Sequence, residues 1–222
     1  MTQVISIVQE KGGAGKTTLL SSLAALMVAD GAKVAVIDTD PQRHLEAWAM
    51  KEKTPLDWHY EEDDERLIPT VKALKAGQPS YDAIFIDTAG FKSAMAIYAI
   101  NAASLVLIPS KANEADAKGA MRTHAHVQSV AESMDKTIAS YVVMMDIDSH
   151  TNITQSVIDA LDAQGVPRLE AMCGHRTGFK EMTSTGDLPT GAARREAQKI
   201  IAELQHKKLI DYYRGQKWQK SA

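Results

Sequence analysis

The sequence predicts an α/β fold: one domain built on a mostly parallel, twisted sheet with helices on both faces. Three observations predict it. Short apolar runs rich in Val and Ile alternate with segments of helical periodicity along the chain. A glycine cluster, Gly12, Gly13 and Gly15, lies between the first such run and the first helical segment. The 222 residues are 45% hydrophobic and 24% charged, the balance of a globular chain long enough to bury a core without staples.

The elements follow in order. Residues 4–8 form a short apolar run and predict a buried strand. Leu19, Leu20, Leu23, Leu26 and Met27 recur at helical spacing and predict a helix over 16–30, with Gly31 just past its end. A strand over 33–37 runs into Asp38-Thr39-Asp40-Pro41, and a helix follows over 42–50. The stretch 54–60 predicts an edge strand. Glu61 to Glu65 are five consecutive acids, expected as a solvated loop and helix start where carboxylates suit the dipole. A helix over 67–76 leads to a strand over 81–86, which ends at Asp87. Then come a helix over 93–102, a strand over 105–108 stopped by Pro109, a helix over 116–134 and a strand over 139–145. A helix over 151–164 ends at Gly165-Val166-Pro167, residues 168–172 predict a last strand, and a long helix covers 191–213. No repeat or low-complexity linker divides the chain, so 1–222 reads as a single domain with a basic C-terminal helix and tail from about 191.

Composition narrows the function classes. One cysteine, Cys173, excludes an intrachain disulfide and fits a reducing compartment. The apolar runs are too short to cross a bilayer. The N-terminus has no basic segment before its first strand, so no signal peptide is expected. The histidines and Cys173 show no metal-ligand spacing: His124 and His126 sit two apart on a predicted helix and point away from each other.

Chemistry concentrates in three segments. The first is Lys11-Gly12-Gly13-Ala14-Gly15-Lys16-Thr17-Thr18 between strand and helix, the setting of a phosphate-binding P-loop. Glycines let backbone N–H groups turn toward phosphate oxygens, and the helix N-terminus adds its positive end. Lys16 can reach the β and γ phosphates and Thr17 can ligate Mg²⁺. The spacing matches G-x-x-x-x-G-K-[ST] except at the first position, which is Glu10. The second segment is Asp38-Thr39-Asp40-Pro41-Gln42, where two carboxylates leave a strand end, the edge at which α/β ligands bind. The third is Ile84-Phe85-Ile86-Asp87-Thr88-Ala89-Gly90. It has the shape of a Walker B strand, with Asp87 as the Mg²⁺ partner and Gly90 in a turn able to respond to the γ-phosphate.

Together these segments resemble the ParA/MinD family of deviant Walker A ATPases, whose box reads K-G-G-x-G-K-[ST]-T. The pattern is closest to small plasmid partition proteins of the ParA type. The resemblance implies a P-loop NTPase domain that binds ATP or ADP with Mg²⁺. It implies that Lys11 is a signature lysine reaching the nucleotide of the other subunit in a sandwich dimer, while Lys16 serves its own subunit. Gly12, Gly13, Ala14 and Gly15 would wrap the phosphates, Thr17 hold Mg²⁺ and Thr18 hold the α-phosphate. Asp40 would orient the attacking water, Asp38 support the metal shell and Arg176 lie near the base, in a pattern shared with Phe179 and Gly186. Ile108-Pro109-Ser110 and Asp116 resemble the strand and loop beside the nucleotide. Met144-Met145-Asp146 stands where many relatives place an asparagine for adenine; this sequence has no asparagine there, and backbone groups could still read the base.

The chain carries a net charge of −3, yet residues 189–222 hold eight basic and three acidic side chains, a local +5. Ile200, Ile201, Leu204, Leu209 and Ile210 supply a core-facing stripe, leaving the cations on the other side. That face is expected to bind DNA backbone without sequence preference; the bland alternative is a solvated helix with a frayed tail. By resemblance the function is a cytoplasmic, nucleoid-associated ATPase that partitions or positions DNA. It would act as an ATP-dependent homodimer released by a ParB-like activator. Two alternatives stay open within the family: MinD-like membrane positioning, set back by the polar tail around Tyr212, Tyr213 and Trp218, and help in DNA transfer by type IV secretion. Outside it, a small-molecule kinase would need a substrate pocket of its own, and an iron–sulfur reductase would need more than one cysteine.

Overall fold

The inner strands are rich in Val, Ile, Leu and Phe, offer no solvated face and must be covered on both sides. The computed structural model, which describes residues 2–51, 56–78, 80–90, 94–148 and 151–211, shows that arrangement. The order is β1 (Gln3–Ile7), α1 (Lys16–Ala29), β2 (Val34–Asp38), α2 (His44–Ala49), β3 (Asp57–Tyr60), α3 (Asp64–Ala76), β4 (Ala83–Asp87) and α4 (Ala94–Ala102). It continues with β5 (Leu105–Ser110), α5 (Glu114–Ser133), β6 (Ala139–Met144), α6 (Asn152–Ala163), α7 (Thr177–Thr185) and α8 (Gly191–His206). The six strands lie in the order β3-β2-β4-β1-β5-β6, and every pair is parallel.

Alternation along each strand sorts the core. Ile5, Ile7, Val34, Val36, Phe85 and Leu107 face the layer of α1, α2, α7 and α8. On the other face Val4, Ala35, Ile84 and Ile86 meet α3 and α4, while Val106, Ile108, Val142 and Met144 meet α5 and α6. Because all strands run the same way, β1, β2 and β4 end at one edge. The chain winds outward from β1 through β2 and β3, returns to β4, then winds the other way through β5 and β6. The C-terminal end of β1 therefore sits at a topological switch point, where such sheets form a crevice.

Several elements depart from expectation. β5 runs through Pro109 to Ser110 instead of stopping before it. Along a strand, a residue's N–H and C=O point to the same side. Pro109 turns its carbonyl toward Gln9, so its missing N–H faces the side where β1 has already ended. Residues 168–172 make no strand; Val142–Arg168 and Ile147–Gly174 are isolated bridges. That segment instead spends two backbone N–H groups on a carboxylate of α8, Glu170 and Ala171 donating to Glu203. The helix α7 was unexpected, although Phe179 and Met182 at helical spacing before Gly186 carried its signal. The acidic run is not wholly solvated: Glu61 is buried, accepting from the Thr70 hydroxyl and lying 3.7 Å from Arg66.

The last helix is shorter than the 191–213 expected. α8 ends at His206, and Lys208 turns left-handed at φ 56°. The Lys208 amide donates to Gln205 and the Leu209 amide to Leu204, the two bonds of a Schellman stop. Ile210 is still buried, but beyond the helix. Residues 212–222, with the expected tail cations Arg214, Lys217 and Lys220, lie outside the described residues. A lysine is strained in this position, where glycine is not. Lys208→Gly is therefore expected to stabilise the fold by about 0.5–1 kcal/mol in urea unfolding; an unchanged or lowered midpoint would contradict the left-handed stop.

Candidate functional site

The loop after β1 enters α1 through Gly15, which is left-handed at φ 97°, as is Gly13 at φ 75°. Only glycine adopts these angles without strain, and their succession turns the loop back over the first turn of α1. Unlike α3, α5 and α6, whose first turns are capped by Asp63, Asn113 and Thr151, α1 has no side-chain cap and no acid in its first turn. Its N-terminal N–H groups are left for an anion. Lys16 opens the helix and is 8% exposed. Burial lowers the pKa of its ammonium, and the nearby carboxylates of Asp87 and Asp40 pull it back.

Asp38 and Asp87 end neighbouring strands and pair in register. Thr39 ties the two strand ends together: its amide and its hydroxyl both donate to the Asp87 carbonyl, at 3.1 and 2.8 Å. Asp87 is buried and accepts a 2.6 Å hydrogen bond from the Thr17 hydroxyl on Oδ2. Its other oxygen, Oδ1, is buried with no hydrogen-bond partner among the described residues. Burial pushes the Asp87 carboxyl up to about 7, opposed by the Thr17 bond and Lys16 and reinforced by Asp38 and Asp40. A hydroxyl and an unpartnered carboxylate oxygen side by side are the hard donors Mg²⁺ prefers, so Thr17 and Asp87 fit that ion. Asp38 is different. Its Oδ1 accepts from the Asp40 amide and its Oδ2 from the Glu46 amide, so it holds the loop that carries Asp40. Burial raises its pKa, and those amide bonds oppose the rise. Asp40 is only partly buried, and its Oδ1 accepts from the Gln42 amide.

Lys11 is engaged within its own chain. Its Nζ lies 2.8 Å from Oδ1 of Asp116 on α5; the lysine is half exposed and the aspartate buried. Asp116 is held in turn by Asn113, which donates 2.7 Å to its Oδ2 and accepts from its amide. Two further contacts, absent from any local pattern, anchor the loop to the same helix and strand. Buried Gln9 donates to the Pro109 carbonyl at 2.9 Å, and Glu10 pairs with Arg122 at 2.7 Å. The first-position glutamate is thus a tether to α5.

Beside the loop a cavity of about 190 Å³ is lined by Gly13, Gly15 and Thr18 on one side and by Met145, Asp146 and Phe179 on the other. Arg176 also lines it, with its Nε and Nη2 engaged by Glu196 of α8 at 2.9 and 2.8 Å. The structure therefore gathers the P-loop, Asp38, Asp40, Asp87 and Arg176 along one edge of the sheet. It gives Lys11 a partner within its own chain.

Comparison with known proteins agrees with this fold. A family model described as VirC1 protein matches residues 2–211. Protein ParA of Rhizobium radiobacter is 29% identical over 82% of this chain and 83% of its own. Protein virC1 of the same organism is 26% identical over 84% of this chain and 82% of its own. A crystal structure described as a plasmid partition protein of Borrelia burgdorferi B31 bound to AMPPNP superposes with a TM-score of 0.75. It is 17% identical and covers 93% of this chain and all of that one. With a six-stranded parallel sheet, an uncapped P-loop helix and two strand-end carboxylates behind it, the chain belongs to the VirC1 protein family and has the fold of the ParA/MinD-type P-loop ATPases.

Proposed function

We propose that this protein is an ATPase that dimerises around ATP, binds DNA without sequence preference and so partitions or positions it. The observation that carries this proposal is the uncapped start of α1 facing buried Lys16 and the Thr17–Asp87 pair, with Asp40 on the adjoining loop. Backbone N–H groups and Lys16 take the triphosphate. Mg²⁺, held by Thr17 and Asp87, neutralises phosphate charge when bound. Asp40, more exposed than Asp38 and carried by the loop that Asp38 braces, orients the water. Thr18 and Arg176 flank the path from phosphates to nucleoside. Lys11 leaves Asp116 for the nucleotide of a second subunit, so dimer formation trades one ion pair for another. A ParB-like activator releases the dimer by speeding hydrolysis.

The DNA face is α8. Arg194, Arg195 and Lys199 are exposed, as are Lys207 and Lys208 just beyond it. Among the described residues its acids offset one of them, Glu203 lying 3.6 Å from Lys207. Glu196 turns to the Gly174 amide and Arg176, and Glu203 to the amides of Glu170 and Ala171. Two such faces in a dimer bind by avidity. The membrane alternative rests on residues 212–222, outside the described residues; among those described, no helix is long and apolar enough to cross a membrane. Strong ATP-dependent pelleting with liposomes and no DNA binding would favour it.

Lys16→Ala is expected to abolish binding of Mg²⁺-ATP. Asp40→Ala should keep binding and lower phosphate release by about a hundredfold or more; normal turnover in Asp40→Ala would remove it as the water-positioning residue. Replacing Arg194, Arg195 and Lys199 by alanine should lower the slope of log affinity against log salt for duplex DNA by about 2–3 per subunit. An unchanged slope would move the DNA site elsewhere. A fourth expectation concerns pH. The folded, unliganded protein holds the Asp87 proton up to about 7, whereas the ordinary value is 3.8. The folded state therefore binds the extra proton between those values, and this group makes stability fall as pH rises through the window. Asp87→Asn should raise the melting temperature of the nucleotide-free protein more at pH 7.5 than at pH 5, while removing Mg²⁺-dependent binding. An equal gain at both would show that Asp87 is not buried as an acid.

A further inference from the structure

The cavity beside the P-loop has a charged wall that phosphate binding does not use. At about 190 Å³ it is smaller than the roughly 300–1,000 Å³ that takes a drug-sized ligand, and suits one planar ring system. It adjoins Thr18 and Gly15, so a nucleotide whose phosphates occupy the loop places its base there. Among the described residues, Asp146 is the one side-chain carboxylate that lines it. The backbone aims it: Asp146 follows β6 in the left-handed region, at φ 56°. Its Oδ1 lies 2.5 Å from His175 Nδ1 and its Oδ2 lies 3.1 Å from Lys111 Nζ. Lys180 Nζ stands 3.2 Å from the other ring nitrogen of His175. Burial works against the charge of Asp146, but the His175 and Lys111 hydrogen bonds hold its carboxyl below the usual range. It is an acceptor at working pH, with two lone-pair positions taken and two free.

An ionised carboxylate beside an ammonium is an undemanding reader of purines. Adenine offers its amino group to the carboxylate and a ring nitrogen to the ammonium. Guanine offers two donors, N1–H and the 2-amino group, to the carboxylate, and its carbonyl to the ammonium. Strong rejection of a wrong ligand arises when a buried polar group is left without its partner, and neither purine leaves Asp146 or Lys111 in that position. Arg176 adds little discrimination, because its Nε and Nη2 are engaged by Glu196.

We propose that Asp146 sets the base preference of this site, and that it makes the protein accept GTP alongside ATP. This rests on the nucleotide-binding proposal above. The test is calorimetric titration of the full chain with ATPγS and GTPγS, each with Mg²⁺, repeated on Asp146→Asn. Asparagine tolerates the left-handed backbone, so the substitution changes one acceptor into a donor with little strain. Wild-type protein is expected to bind GTPγS within about tenfold of ATPγS. In Asp146→Asn the preference for ATPγS over GTPγS should grow by about tenfold or more, the worth of one charge-assisted hydrogen bond lost to guanine alone. If ATPγS binds and GTPγS is weaker by more than that margin, dual acceptance is wrong. An unmoved ratio in Asp146→Asn removes Asp146 as the reader. Binding of neither analogue overturns the nucleotide-binding proposal itself, and this inference with it. The wild-type comparison stands even if the variant does not fold.

Discussion

A buried carboxylate with one unpartnered oxygen organises this protein. Asp87 ends a central strand, is 1% exposed and, among the described residues, has the Thr17 hydroxyl as hydrogen-bond partner on one of its two side-chain oxygens and none on the other. A lone buried charge is costly, and the chain meets that cost by holding the proton rather than by pairing the group fully. Lys16, also buried, leans the other way, its ammonium weakened by the same desolvation. Each group would gain from a partner of opposite charge, a cation beside Asp87 and an anion beside Lys16.

The parallel sheet makes that arrangement possible. Strands covered on both faces have no room for charge along their length, so polar residues collect at the ends. Parallel registry then brings the ends of β2 and β4 side by side, with Asp38 opposite Asp87. Asp38 is neutralised structurally by two backbone amides, which leaves Asp87 as the open donor and Asp40 as the outward one. On the far side of β1, α5 serves the loop through Asp116 and Arg122, whose charges answer Lys11 and Glu10. Residues next to one another in the loop are thus tied to one helix by ion pairs of opposite polarity.

The expectations that failed share a cause. Pro109 reads locally as a strand stop, but the missing N–H matters only if a neighbouring strand needs it, and β1 has ended there. Glu61 reads as one more solvated acid, yet the parallel pairing of β3 with β2 draws it under Thr70 of α3. Residues 168–172 carry a plausible strand pattern, but their amides go to Glu203 on α8. The predicted helix to 213 followed apolar spacing through Leu209 and Ile210, and the left-handed turn at Lys208 has no glycine to announce it. Each case depends on what lies across the fold rather than along the chain.

The sequence alone determined the α/β class, five of the six strands to within two residues at each end, the phosphate loop and the strand-end carboxylates. These follow from period, glycine placement and local order, which are properties of neighbours in the chain. Tertiary structure decided which of those charges have partners: Lys11 with Asp116, Glu10 with Arg122, Arg176 with Glu196, and Asp87 with Thr17 on one oxygen and, among the described residues, nothing on the other. Coulomb attraction and desolvation depend on distance and burial, and for groups 20 to 112 residues apart only the packing of helices on the sheet sets either one.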